Sequence, residues 1–148
     1  MQNENSIIVS LIRNLIINNH YTCVNNIYYN KFECDLLSFT SSDLLVEYEV
    51  KVSRPDYFRE FTGKDGKYMS IIKGERINRY YIACPEGLIK EDEVAPYAGL
   101  IWVTESGHTN KVKDAPLLTK NKFLHMKSRI DGIGLRRYIG GYIAKTNS

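Results

Sequence analysis

One aspartate and one charged tripeptide have the residue types and spacing for metal-dependent chemistry: Asp35 and Glu49-Val50-Lys51. Residues two apart in a β-strand share a face, so Glu49 and Lys51 project to the same side of their predicted strand, and Glu47 joins them. Isolated buried charges are costly, so this charged face must be solvated, paired or coordinating. If this face is solvated, Glu47, Glu49 and Lys51 are ordinary surface charges.

The turn-forming segment 40–43 (TSSD) predicts that the strands before and after it pair as a hairpin. If strand 32–39 folds back antiparallel onto strand 44–52, residues whose numbers sum to about 84 lie opposite one another. Asp35 and Glu49 satisfy that sum and would therefore lie close across the pair.

Two carboxylates from adjacent strands, with the backbone carbonyl of Val50, would form an oxygen-rich site of the kind that Mg²⁺ or Mn²⁺ prefers. Glu33 shares a strand face with Asp35 and is a candidate for a further ligand, although it could equally be a surface carboxylate. Lys51 beside such a site could orient or deprotonate a water, or stabilise developing phosphate charge.

Residues from about 30 to 104 resemble the PD-(D/E)XK nuclease superfamily, most closely its MmcB-like, VRR-NUC-like and small phage members. The matching segments, in chain order, are CDLL (34–37), EVKVSRPDYF (49–58), YYIACP (80–85), the acidic stretch ending at Pro96, and GLIWV (99–103). The run EVKVSRPDYF is fairly specific, whereas the other segments matter mainly through their order.

The resemblance implies a restriction-endonuclease-like α/β core, with a mixed central sheet flanked by helices. It assigns metal ligation to Asp35 and Glu49, catalysis to Lys51, and an additional ligand to a glutamate on the first helix, for which Glu4 is the candidate and Glu33 the substitute. The function expected from it is metal-dependent DNA hydrolysis in phage or bacterial repair, recombination or processing. The alternatives are a nuclease-fold binding, accessory or anti-defence protein without activity, and an unrelated α/β interaction domain.

Candidate DNA-contacting residues begin directly after the tripeptide. Ser53 and Arg54 open a predicted helix whose N-terminus could bind a phosphate, although Ser53 could simply cap the helix and Arg54 be solvated. The resemblance places Arg79 and Tyr80 on a strand next to the lysine strand, so either could face the site. The segment 64–79 is basic and glycine-containing, which is typical of a mobile phosphate-contacting loop or of a solvated one.

Basic residues also gather near the end of the chain, where helices are predicted at about 119–130 and 135–145. A basic helical segment of this kind suits the phosphate backbone better than base readout, although such a run is often only a solvated helix face. The candidates that we assign to DNA here are Lys120, Lys122, Arg136 and Arg137.

The elements that would position these residues are readable from hydrophobic periodicity. Apolar residues recur at three and four residues in a first helix capped by Asn5 or Ser6 and ending at 18–20. Alternating or apolar runs predict the strands, and a cap with Pro55 predicts one short helix. The predicted strands are 21–29, 32–39, 44–52, 79–84 and 99–104, and the short helix is 53–61.

The length of 148 residues predicts one domain, 1–148, and the net charge of +3 permits a polyanionic partner without requiring one. Three cysteines without a CxxC motif and a polar N-terminus predict a reduced, cytoplasmic protein, in a bacterium or a phage-infected host, without a membrane partner. No nucleotide-binding or serine-hydrolase motif occurs. The expected partner is DNA. A homodimer is also considered, because members of this superfamily often act as dimers.

Overall fold

The computed structural model describes residues 2–18, 22–29, 32–60 and 67–129. Its helices and strands, in chain order, are α1 (Glu4–Ile17), β1 (Thr22–Tyr29), β2 (Phe32–Phe39), β3 (Leu45–Val50), α2 (Arg54–Glu60), α3 (Lys67–Ile72), β4 (Arg79–Pro85), β5 (Gly99–Val103) and β6 (Thr109–Lys113). A short 3₁₀ turn, Glu91–Glu93, precedes β5.

All six strands form one mixed sheet in the order β1-β2-β3-β4-β5-β6. β1, β2 and β3 pair antiparallel, β4 runs parallel to both β3 and β5, and β6 closes the sheet antiparallel. The helices α2 and α3 lie in the connection from β3 to its parallel neighbour β4, as parallel pairing requires. The predicted mixed α/β architecture is confirmed.

The predicted β2–β3 hairpin register is also confirmed, with Leu36 opposite Tyr48 and Phe39 opposite Leu45. Turn residues at 41 and 42 join the two strands, and Asp43 adopts a left-handed φ of 65°. The hairpin therefore brings the end of β3 back toward the middle of β2.

One face of the sheet, here called the front face, packs against α2 and α3. Its core includes Leu37, Leu45 and Tyr80 from the strands, together with Tyr57 of α2 and Ile71 of α3. These residues are almost completely buried, so the front face carries the larger of the two apolar clusters.

The opposite face, here called the back face, packs against α1. Four apolar residues of α1 (Ile7, Ile8, Leu11 and Leu15) contact a strand layer that includes Val46, Tyr48, Val50, Tyr81 and Ile101. The first helix thus buries its predicted stripe. Its cap is Asn3 rather than Asn5 or Ser6, and Ser6 completes a capping box by accepting from the Asn3 backbone N–H.

The structure differs from the sequence prediction at two places near the C-terminus. β6 was not predicted, because its lysines and asparagine make it too polar to be recognised as a strand. The predicted helix at 119–130 is helical only at residues 124–129. The backbone carbonyls of Thr119 and Asn121 instead accept hydrogen bonds from Asn78 Nδ2, at 3.0 and 2.8 Å, which holds this stretch out of a helix.

The second predicted C-terminal helix, at 135–145, lies outside the described residues. Among the helices that are described, none combines the length and the apolar character needed to cross a membrane.

Candidate active site

Asp35 lies just beyond the last ladder pair of the β2–β3 hairpin and reaches the end of β3. Its Oδ2 accepts a hydrogen bond from the backbone N–H of Val50 at 2.8 Å. This bond fixes the carboxylate beside Glu49, which precedes Val50 in the chain. Asp35 and Glu49 are therefore neighbours across the hairpin, as the predicted register requires.

The environment of Asp35 disfavours its negative charge. Burial raises the pKa of Asp35 to about 6 from its ordinary 3.8, and the nearby carboxylate of Glu4 adds to the rise. The Val50 N–H and the ammonium groups of Lys67 and Lys51 oppose it without cancelling it. Because Glu4 lies in the first turn of α1, the helix brings a third carboxylate into electrostatic reach of Asp35.

Glu49 lies between two ammonium groups. Its Oε1 is 3.6 Å from Lys51 Nζ, and its Oε2 is 3.3 Å from Lys67 Nζ. Glu49 and Lys51 are only 8% and 4% exposed, so the solvated-strand alternative is wrong and the charges are paired instead. Lys51 Nζ also lies 3.7 Å from Asp56 of α2, which holds its ammonium at the end of β3.

Glu47, two residues earlier, is completely buried and forms ion pairs with two cations. Its Oε1 pairs with Arg76 at 2.9 Å and its Oε2 with Lys67 at 3.0 Å. Arg76 is itself fully buried, with its guanidinium over the rings of Tyr29 and Phe32 at 5.1 and 5.3 Å. The network ties the segment before β4 to the first three strands.

Lys67 connects the ion pairs of the two glutamates through contacts with Glu47, Glu49 and the Glu33 backbone carbonyl at 3.2 Å. Burial would lower the pKa of Lys67, but the two carboxylates outweigh it and hold that pKa above its usual range. The prediction of a basic loop at 64–79 is wrong for Lys67 and Arg76, which are buried ion-pair partners because the β3 carboxylates require cations. Sequence reasoning missed both roles, although the unbalanced acids of β3 were a signal.

The donor set suits a hard divalent cation, because Asp35 and Glu49 supply carboxylate oxygens from adjacent strands. Within the described part of the chain, however, no cluster of three or more acidic, histidine or cysteine side chains is close enough to enclose an ion. The Val50 carbonyl and Glu4 stay predicted ligands. The Glu33 side chain is exposed, and Glu33 contacts the site through its backbone carbonyl, which accepts a hydrogen bond from Lys67.

The residues of the predicted phosphate-binding site at the start of α2, Ser53 and Arg54, form hydrogen bonds with other parts of the protein. Ser53 Oγ accepts from the Asp56 N–H at 3.3 Å and so acts as a helix cap. Arg54 makes two hydrogen bonds to the carboxylate of Glu93, at 2.8 and 2.6 Å, and a third to the Leu88 carbonyl. Arg54 thereby lowers the pKa of Glu93 to about 2. Its guanidinium thus anchors the turn before β5.

Two more predicted DNA contacts do not reach the site. Tyr80 is 1% exposed within the front-face core, so its ring is inaccessible to DNA. Arg79 shares the back face with Tyr81, and its Nη1 donates to the Ala115 carbonyl at 2.6 Å. Strand alternation places neighbouring residues on opposite faces, so Arg79 cannot join Glu49 and Lys51.

The C-terminal basic candidates lie partly outside the described residues, which end before Arg136 and Arg137. Lys120 and Lys122 are exposed, and Lys122 Nζ donates to the Ser42 carbonyl at 3.0 Å, in the β2–β3 turn. Lys127 pairs with Asp43 in the same turn at 2.6 Å. Lys122 and Lys127 therefore contact the hairpin turn, at the end of β3 opposite to Lys51.

No protein-family model matches the chain, and no curated protein is significantly similar to it. Among solved structures, the chain is similar to the SPO1766 protein of unknown function from Silicibacter pomeroyi. The TM-score is 0.66 at 16% sequence identity, and the match covers 96% of each chain. This similarity extends over nearly the whole chain and supports the α/β fold alone.

Proposed function

We propose that this protein is a metal-dependent DNA nuclease of the PD-(D/E)XK type. The observation that carries the proposal is the fixed position of Asp35, held by the Val50 N–H beside Glu49, with Lys51 at the end of the same strand. The order of elements adds support: one helix, three antiparallel strands, a helical connection and a parallel strand. The resemblance implies the same order of chemistry-bearing segments.

In this proposal Asp35, Glu49 and the Val50 carbonyl hold Mg²⁺ or Mn²⁺, with Glu4 as the preferred further ligand and Glu33 as its alternative. The bound ion would polarise the scissile phosphate and lower the pKa of a water. Asp35 is poised for such a partner, because burial and Glu4 make its charge unfavourable even with the ammonium groups of Lys67 and Lys51 nearby.

Lys51 has the task of holding and orienting the attacking water and of stabilising charge on the phosphate. Its ammonium is confined between Glu49 and Asp56, at 3.6 and 3.7 Å, so its position is set before substrate binds. A preorganised charge of this kind contributes more than a mobile one, because little reorganisation accompanies the reaction.

Lys67 balances the β3 carboxylates when no divalent ion is bound. Its ammonium contacts the Oε2 atoms of both Glu47 and Glu49, so an ion that coordinates Glu49 competes with Lys67 for the same carboxylate. Glu47 retains Arg76 if Lys67 moves away. The network can therefore release Glu49 without leaving Glu47 uncompensated.

The second candidate function is a nuclease-fold protein that binds DNA, or acts as an accessory or anti-defence factor, without cleaving. The pairing of Glu49 with two lysines favours it, because a carboxylate that is already neutralised has less affinity for a metal ion. The nuclease and the DNA-binding form of the second candidate share DNA as partner, and both candidates share a cytoplasmic location and a bacterial or phage setting. A homodimer is compatible with either.

In both candidates the exposed Lys120 and Lys122, with Arg136 and Arg137 beyond the described residues, would contact the phosphate backbone. Arg79 and Tyr80 are not part of this proposed surface, because Arg79 lies on the back face and Tyr80 is buried, whereas the exposed Arg54 stays a candidate contact.

A cleavage panel separates the two candidates. Circular, linear and branched DNA are incubated with the protein in Mg²⁺, in Mn²⁺ and in EDTA. The nuclease proposal expects cleavage in the metal buffers alone, lost in Lys51→Ala and kept in Lys90→Ala, a matched change at an exposed lysine. Binding without cleavage in every buffer would leave only the accessory function.

A further inference from the structure

A cavity of about 600 Å³ opens on the back face, between α1 and the strands β3 to β6. The site formed by Glu49 and Lys51 projects from the front face, so the sheet separates the two. A volume of this size accommodates an organic molecule as large as a nucleotide.

Part of the cavity lining is apolar and aromatic. Tyr48 and Tyr81 stack there with ring centroids 5.7 Å apart and planes within 14°, and Leu11 and Leu15 of α1 form the facing wall. Gly99 makes this arrangement possible, because a Cβ at that position would overlap the Tyr81 ring. Flat, apolar groups are the natural occupants of such a surface.

One wall of the cavity is cationic. The Arg79 guanidinium is half-buried and anchored by the Ala115 carbonyl, yet no described carboxylate forms an ion pair with it. Arg54, Arg59 and Arg76 each pair with an acid. A partly buried guanidinium without a carboxylate is a favourable partner for a bound anion, because burial strengthens charge-assisted hydrogen bonds.

A second cationic side chain, Lys111, lines the cavity at its exposed edge. Lys111 Nζ lies 5.6 Å from the centroid of the Tyr81 ring and 3.5 Å from Asp114, whose side chain is 86% exposed. Asn14 and Thr109, joined by a 2.7 Å hydrogen bond, also line the cavity. The lining as a whole therefore combines a net positive charge, an aromatic surface and polar groups suited to a heteroaromatic edge.

We propose that this cavity is a binding site for an aromatic phosphate monoester, with a nucleoside monophosphate as the class that best fits it. The phosphate would pair with Arg79, and the base would contact the tyrosines and the leucines of α1. This site is independent of the nuclease proposal, because it uses neither Asp35 nor Glu49.

Calorimetric titration in EDTA provides the test, with adenosine 5′-monophosphate as probe and adenosine and inorganic phosphate as its separate halves. The expected result is that the monophosphate binds at least ~10-fold more tightly than either half, since the aromatic and anionic contacts add. Arg79→Gln should weaken binding at least ~10-fold and Arg79→Lys less, whereas Arg59→Gln on α2 and Asp35→Asn should have no effect.

Circular dichroism spectra that match the parent would verify that the Arg79 variants are folded. If Arg79→Gln does not fold, the binding comparison is made with Arg79→Lys. Amide shifts in a ¹H–¹⁵N spectrum should concentrate at Tyr81, Gly99 and Lys111. Absence of monophosphate binding, or binding that is equal in the folded Arg79 variants and the parent, would overturn the proposal. Binding that depends on Asp35 would overturn it too, because the ligand would then occupy the front-face site.

Discussion

Replacing Asp35 by asparagine should stabilise the metal-free protein at neutral pH, while removing a proposed metal ligand. An aspartate whose pKa is about 6 instead of its ordinary 3.8 carries a charge that the native structure disfavours. At pH 7.5 the difference corresponds to about 3 kcal/mol of unfavourable free energy in the folded state. Asparagine removes the charge, and its Oδ1 can still accept the Val50 N–H.

The effect should depend on pH with a definite sign. Between about pH 4 and 6 the native parent binds more protons at Asp35 than the unfolded chain, so parent stability falls as the pH rises through this window. Below about pH 4 the carboxyl is protonated in both states, and the parent and Asp35→Asn should then be equally stable. Above about pH 6 the advantage of the variant should reach its full size, which we expect to be ~1–3 kcal/mol.

Urea unfolding in EDTA at pH 4.5, 6 and 7.5, followed by circular dichroism, measures this difference. Asp92→Asn, at an exposed aspartate of the 3₁₀ turn, is the control, and it should change stability by less than ~0.5 kcal/mol at each pH. A parent more stable than Asp35→Asn at pH 7.5 would refute the reasoning. Asp35 would then be a stabilising residue rather than one held in an unfavourable charge state for a cation.

Three further predictions concern the same site and its surroundings. Glu49→Gln should abolish Mn²⁺ binding in a calorimetric titration, and unchanged Mn²⁺ affinity would remove Glu49 from the ligand set. In urea unfolding the same change should lower the free energy of unfolding by only about 1–2 kcal/mol, because Lys51 and Lys67 each keep another carboxylate partner. Lys67→Met should tighten Mn²⁺ binding at least ~3-fold, because it removes the ammonium that competes for Glu49, and equal or weaker binding would contradict that competition. Replacing Lys120 and Lys122 together by glutamine should reduce the slope of log K against log salt for DNA binding by about 2, and a slope equal to the parent's would place the phosphate contacts elsewhere.

Much of the fold was predictable, because the strands and the first helix have strong local patterns. The β2–β3 register followed from one turn, so the contact of Asp35 with the end of β3 was predictable as well. A strand register determines which side chains are neighbours, and a single turn is enough to set it.

The partners of the β3 charges were not predictable in the same way. Lys67 and Arg76 are distant in sequence from Glu47 and Glu49, and their local sequence is that of a polar loop. Their burial is determined by tertiary packing that brings α3 and the segment before β4 over β3. The alternative in which Glu49 is an ordinary solvated surface charge was wrong for this reason.

Arg54 and Arg79 have partners that the sequence did not indicate, for two different reasons. Arg54 pairs with Glu93, which lies in a turn almost forty residues later, and no local pattern reveals such a contact. Arg79 was a candidate because the resemblance places its strand next to the lysine strand. The period of two predicts that only one of Arg79 and Tyr80 faces the site, and the parallel pairing of Arg79 with Val46 directs Arg79 to the back face.

Lys51 is the residue that we propose performs chemistry beside Asp35 and Glu49. Single-turnover cleavage of DNA in Mg²⁺, with protein in excess, tests it most directly. We predict metal-dependent cleavage by the parent and a rate at least ~100-fold lower in Lys51→Ala, with DNA affinity measured in Ca²⁺ nearly unchanged. Cleavage by Lys51→Ala at the parent rate, or no cleavage by the parent in any metal, would contradict the claim.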